Sequence, residues 1–303
     1  MTGRERILAA LRLEQPDRVP HFELAYNEPS IIGIARHLTD ELPPEKPVAD
    51  MTPDELLMIF NALGLIIEEL DIDGLTARVL EPEEDLGGGY FKDKWDILYK
   101  RNPFGLAFPM EGPIKSASDL KSYKPPKIDP DVDLMMLGMV KARFDGKKAV
   151  IFSTHDCFRL SWALRGGIEH LLIDYIDNPG LAHDLARMST EYHKEIVAAA
   201  IDAGADGVVF EDDVAFNTNT MMSPAQFDEF IGPYLKELVD VVRIVTEDPA
   251  HLLETVWQFE QLEKESMAQF QRYGFSDNVF LLPPHDCYYS HDGERSVPGP
   301  VGI

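Results

Sequence analysis

Three carboxylates in a row, Glu211, Asp212 and Asp213, follow the apolar run Gly207–Phe210 and precede a polar loop and the helix start at Ser223-Pro224. Like charges side by side repel, so one member of such a group is driven to hold its proton while another stays ionised. That separation suits acid–base chemistry or the stabilisation of a cationic species. Asp212 and Asp213 are therefore candidate catalytic residues, with Glu211 and Asn217 as candidate substrate contacts in the same stretch. A second signal is the repeated triplet His155-Asp156-Cys157 and His285-Asp286-Cys287. Residues i and i+2 of an extended chain face the same way, so each His/Cys pair could chelate a metal, and the two together would make a two-His, two-Cys zinc site. His155 is also a candidate for substrate contact or proton transfer. The plainer readings are a solvated acidic loop for 211–213 and a small buried apolar residue for Cys157.

These residues need elements to hold them. Thr2 with Glu5 three positions on predicts a capped first helix, and "VPHFEL" predicts a first strand ending near Glu23, a further candidate substrate contact. "TPDELLMIFNALG" predicts a helix that stops at Gly64, and the run from Leu65 to Leu80 fits strand or helix equally. Alternating aromatic and charged residues between Gly and Pro from Leu86 to Ser116 predict hairpins or a small antiparallel flap; the "GGG" at 87–89 has no helix behind it and reads as a turn, not a phosphate loop. From "KKAVIFST" onward the order becomes strand, loop, helix, with continuous apolar strands of the kind parallel sheets bury on both faces. Successive βα units favour a parallel α/β architecture, a (β/α)8 barrel first, and in a barrel the acidic cluster sits at the strand ends where chemistry is done.

Composition sets the partners. Lys+Arg of 28 against Asp+Glu of 53 gives a formal charge of −25, which repels nucleic acid and anionic membrane surfaces and leaves a small molecule as the expected ligand. Two cysteines and the lack of a long apolar run predict a cytoplasmic chain without a disulfide framework or membrane span.

The opening "TGRERILAALRLEQPDRVP", the step "SASDLKSYKPP", the helical "RLSWALRGGIEHLLIDYIDNPGLAHDL" and above all "DDVAFNTNTMMSPAQFDEFIGPYLKELVD" resemble the uroporphyrinogen decarboxylase superfamily, as far as about Arg243. The resemblance implies a single (β/α)8 domain over 1–303. It also implies one of two activities, decarboxylation of a porphyrinogen or methyl transfer involving a corrinoid held by a partner protein. The decarboxylase branch carries an Arg-rich glycine motif after the first strand and a Phe-Ser-Asp-Ile-Leu motif with the catalytic aspartate. Here the first position reads "VPHFELAYNEPS" and the second "KWDILYKR", which favours the methyltransferase branch. A polyanionic porphyrinogen would also suit a chain of this charge poorly. The methyltransferase relatives use a His-x-Cys and a later Cys to hold zinc, yet after Arg243 this chain reads "IVTEDPAHLLETVW".

The expectation for 244–303 is consequently a divergent or truncated segment supplying one helix and one strand, and a barrel-derived fold incomplete at its C-terminal end. Open strand edges would then need the flap, the tail or a second copy of the chain to cover them. A non-catalytic barrel acting as a binding protein is the third reading.

Overall fold

The computed structural model describes residues 1–245 apart from 45, 47–49, 81, 103–106, 145 and 216–219. The 244–303 expectation, apart from the last two residues of a helix, lies outside the described residues, as do Asn217, His285 and Cys287.

The chain opens with α1 (Gly3–Leu11), whose Thr2 and Glu5 form the expected reciprocal cap. After α2 (Glu28–Ala35) comes α3 (Pro53–Glu69), also with a capping box, from Thr52 and Glu55. Gly64 does not end this helix. It lies inside it, where a Cβ would come within 2.8 Å of the Arg143 guanidinium, so the glycine marks a close approach and Ile66 and Ile67 carry the helix on into the core. The ambiguous run that follows divides into the end of α3 and strand β1 (Gly74–Ala77).

An antiparallel meander comes next, of β2 (Glu84–Gly87), β3 (Tyr90–Lys92), β4 (Leu98–Arg101) and β5 (Ala107–Glu111), and it is the expected flap. Gly87, Gly88 and Gly89 all have positive φ, a conformation that L side chains rarely adopt, and together they make the tight β2–β3 turn. Three helices, α4 (Ala117–Ser122), α5 (Pro130–Asp133) and α6 (Met135–Phe144), return the chain to the parallel sheet. Strand β6 (Ala149–Thr154) is buried at all six positions, as the continuous apolar run requires of a central parallel strand. Helices α7 (Cys157–Leu164), α8 (Ile168–Asp177) and α9 (Pro179–Asp202) lead to β7 (Gly207–Phe210), and α10 (Pro224–Phe230) and α11 (Gly232–Val245) follow.

The parallel sheet runs β1-β6-β7, and Phe22 adds a single parallel bridge to Gly74 on the outer side of β1. The expected first strand is thus one bridging residue among the described residues. Strands β1, β6 and β7 stand in chain order with helical crossovers and no reversal among the described residues, as successive strands of a TIM barrel do. Leu185, Ile196 and Val197 on one stripe of α9, with Phe152 of β6 and Phe158 of α7, belong to the main core, and α9 packs in turn on α7 and α11.

The opposite end of the sheet is tied by charge. Asp73, fully buried just before β1, accepts from Arg6 Nη1 (2.9 Å), from Arg18 Nη1 (2.7 Å) and Nη2 (3.0 Å), and from the His21 backbone N–H (2.7 Å). With every lone pair answered, the buried carboxylate pins α1 and the following loop to the base of the sheet and leaves the other end free for the site.

Candidate functional site

At the C-terminal ends of β1, β6 and β7 the flap closes over a cavity of about 250 Å³. Its walls are Arg78 and Val79 after β1, Ser153 and Thr154 of β6 with His155 behind them, and Glu211 after β7. The flap contributes Asp93, Trp95 and Tyr99, while Arg159, Leu160 and Ala163 come from α7 and Tyr192 and His193 from α9. Sharp packing seats the flap: a Cβ on Gly112 would collide with the Leu164 carbonyl, so only glycine lets the strand leaving β5 lie against the end of α7.

The three carboxylates that open the sequence argument go three different ways. Glu211 faces the cavity, where its Oε1 accepts from Ser153 Oγ at 2.7 Å and pairs with Arg78 Nη2 at 2.8 Å. Asp212 turns inward instead: its side chain is 5 % exposed, and Oδ2 accepts the backbone N–H of Asp156 at 3.0 Å and of Arg159 at 3.4 Å in the first turn of α7. Desolvation, the neighbouring charge of Asp156 and a hydrogen bond between the two side chains raise its pKa well above the carboxylate range. Its Oδ1 takes no backbone donor and has no hydrogen-bond partner among the described residues, and the raised pKa favours the protonated acid. Asp156 in turn caps α7 by accepting from the Phe158 N–H at 2.7 Å. Asp213 is exposed and does not line the cavity, so its place in the expected catalytic pair goes; the backbone turn after β7 sends alternate side chains apart.

His155 meets its expectation as a residue at the mouth. Its Nδ1 donates to the Glu211 carbonyl at 2.6 Å and lies 3.9 Å from Asp212 Oδ1, while 44 % of the side chain stays open. Desolvation lowers its pKa below the ordinary histidine value, against the Glu211 carbonyl bond that acts to raise it. The ring is therefore neutral at neutral pH, with Nε2 left as an acceptor. His193, fully enclosed on α9, has the same design: Nδ1 donates to the Ser189 carbonyl at 2.8 Å, and burial lowers its pKa to about 4. Two neutral imidazoles thus line one cavity.

Glu23 is exposed and absent from the cavity wall, because the first strand ends in a single bridge and does not carry it inward. The His155/Cys157 chelate also gives way. Cys157 is the first residue of α7 and not part of an extended segment, and its thiol is buried with Sγ 3.8 Å from the Phe230 carbonyl. Desolvation, with the charge of Asp156, raises its pKa well above the ordinary thiol value, so it offers no thiolate. Among the described residues no group of three His, Cys, Asp or Glu side chains is placed to hold a metal; His285 and Cys287, the other pair of the expected zinc site, lie outside them. Nor does any helix among them have the length and apolarity to cross a membrane.

Arg78, Ser153, Arg159, Tyr192 and His193 complete the wall without having been singled out in the sequence. Arg78 directly follows a short strand in the run that fits two structures, and His193 sits mid-helix with no local signal.

A methyltransferase from Methanosarcina mazei is similar in fold, with a TM-score of 0.53 and 18% sequence identity over 80% of this chain and 67% of that one. No curated protein matches the chain. The model of the uroporphyrinogen decarboxylase (URO-D) family matches residues 109–265, just over half of the 303 residues, and runs from the last flap strand through β6, the acidic cluster and α11. With parallel strands wound in barrel order and the cavity at their C-terminal ends, the chain belongs to the uroporphyrinogen decarboxylase family.

Proposed function

We propose that this chain is a methyltransferase acting on a small molecule bound in the cavity, with a corrinoid on a partner protein as the methyl carrier. The observation that carries the reading is the size of the cavity. At about 250 Å³ it suits a small molecule. A second observation agrees. Asp96, the aspartate of "KWDIL", stands in the turn between β3 and β4 with a side chain 76 % exposed, away from the cavity that decarboxylation would need it to face. The fold neighbour that is a methyltransferase supports the same branch.

In this reading His155 moves the proton. A hydroxyl or thiol that accepts a methyl group must lose a proton, and in the reverse direction the departing oxygen or sulfur must gain one. Neutral His155, held by the Glu211 carbonyl, takes the proton on Nε2 in the first direction, and the protonated ring returns it in the reverse one. The Glu211–Arg78 pair and Ser153 fix the floor on which the substrate lies.

Purified chain incubated with cob(I)alamin and a set of methyl ethers and methyl thioethers should generate the absorption spectrum of methylcob(III)alamin with at least one of them. Conversion of a porphyrinogen with release of carbon dioxide, and no methyl transfer to cobalamin, would overturn the proposal.

A further inference from the structure

The guanidinium of Arg159 makes no hydrogen bond or ion pair among the described residues, although it forms part of the cavity wall and its Nη1 is buried. It stacks on the Trp162 ring, 4.0 Å from the centroid, which holds the plane of the fork but satisfies none of its donors. The other charged groups around it are committed elsewhere. Glu211 is paired with Arg78 and Ser153, and Asp212 takes the Arg159 backbone N–H and has its pKa raised by burial beside Asp156. Asp93 directs Oδ1 to the backbone N–H groups of Trp95 (2.9 Å) and Ile97 (3.0 Å), and burial raises its pKa. The imidazoles of His155 and His193 are neutral. The half-buried guanidinium, whose charge lowers the Asp93 pKa against the rise from burial, keeps its hydrogen-bond donors open to the cavity, and unanswered donors there are costly until a ligand meets them.

The rest of the wall says what kind of ligand. Val79, Trp95, Leu160 and Ala163 supply apolar surface, so the ligand has an organic body. A cavity of 150 Å³ holds benzene, and about 250 Å³ leaves room for one ring or a short branched chain plus a charged group. The planar fork of arginine matches a carboxylate through two parallel hydrogen bonds. A phosphate dianion would call for a second free cation or a cluster of backbone donors, and Arg78 is already paired.

We propose that Arg159 is a ligand-binding residue and that the cavity takes a compact organic monocarboxylate, its carboxylate on the Arg159 guanidinium and its body against Trp95, Leu160 and Ala163. This rests on the cavity being the substrate site of the proposed function and names the class of molecule that enters it. Methyl transfer is not needed to test it.

Isothermal titration calorimetry of the whole chain without cobalamin, against benzoate, isobutyrate, benzamide and inorganic phosphate, separates the alternatives. Benzoate or isobutyrate should bind, and benzamide, the neutral isostere of benzoate, should bind at least about thirtyfold more weakly than benzoate if benzoate is the tighter of the two acids. Arg159→Gln should weaken the carboxylate by a similar factor, with Arg159→Lys in between, and circular dichroism of both variants checks that they fold. Binding of phosphate alone, equal binding of benzoate and benzamide, unchanged carboxylate affinity in folded Arg159→Gln, or no binding of either acid would overturn the assignment. Should the variants fail to fold, the comparison of the probes on the native chain still decides. Carboxylate binding without methyl transfer would sink the proposed reaction and leave this site standing, whereas methyl transfer without carboxylate binding would do the reverse.

Discussion

His155 Nδ1 lies 2.6 Å from the carbonyl oxygen of Glu211, so the residue after β6 is bound to the residue after β7 across the mouth of the sheet. A carbonyl can only accept, which places the proton on Nδ1 and turns the basic Nε2 toward the open side. The Glu211 side chain meanwhile points to Arg78 and Ser153. One residue thereby sets the tautomer of the histidine with its backbone and the position of an arginine with its carboxylate.

The first prediction concerns that histidine. His155→Gln keeps a polar side chain at the position and removes the group that titrates, so methyl transfer should fall by about 100-fold. Because desolvation lowers the His155 pKa, the acidic limb of kcat/KM in the native protein should lie below the ordinary value of 6.5. A pH profile of transfer from methylcobalamin to a hydroxyl or thiol acceptor reads both. An acidic limb at or above 6.5 would remove His155 from the role of proton acceptor.

Asp212 and Asp156 make a second, opposite pH signature. A group whose folded pKa is raised contributes stability that is complete below its unfolded pKa and is lost as pH rises toward the folded value. Asp212→Asn removes the second charge beside Asp156 and keeps an oxygen for the backbone of α7, so it imitates the uncharged acid at every pH. Urea denaturation should find the variant equal to the native chain near pH 4 and more stable than it at pH 8. Asp212→Ala, which leaves the backbone N–H groups of Asp156 and Arg159 without their partner, should instead cost about 1–3 kcal/mol.

Much of this arrangement was legible in the sequence, and the reasons are local. The run "AVIFST" reads as a buried strand because apolar continuity over strand length has few other uses, and the capping boxes at Thr2 and Ser223 are contained within four residues each. Chemistry at the ends of β6 and β7 followed from those strands, and Glu211 and His155 are there. Gly64 misled because its reason is a distant arginine, not the helix it sits in. Cys157 misled because the chain bends from strand to helix between it and His155, which breaks the two-residue periodicity. Which of three adjacent carboxylates enters the cavity depends on how the backbone turns after β7, and Arg159 and His193 owe their place to helix packing across the chain. No short pattern carries such information.

His193 offers a stability test independent of activity. It is fully buried with a pKa lowered to about 4, against 6.5 in the unfolded chain. A depressed folded pKa means that the unfolded state binds the proton first as pH falls, so the contribution is intact above 6.5 and is lost between 6.5 and about 4. The span corresponds to about 3 kcal/mol. The difference in urea stability between the native chain and His193→Gln should therefore shrink, or change sign, as pH is lowered through that window. A difference that stays constant from pH 7 to pH 4 would show that His193 is protonated in the folded protein.

Cys157 separates a packed thiol from a metal ligand. The thiol is enclosed at the start of α7 against the Phe230 carbonyl, and burial together with the charge of Asp156 keeps it protonated. Alkylation needs both access and a thiolate, and the site provides neither. In a Cys287→Ser background, iodoacetamide at pH 8 should leave the native chain unlabelled and modify Cys157 only after unfolding in urea. Cys157→Ala should retain methyl transfer and whatever zinc the purified protein contains, since it removes one sulfur atom from a packed position and no ligand. Its stability should drop modestly, by about 1 kcal/mol, through the small cavity left beside Phe230. Rapid labelling of the native chain, or loss of bound zinc in Cys157→Ala measured by elemental analysis, would place this thiol in the chemistry and return the His155/Cys157 pair to the list of metal ligands.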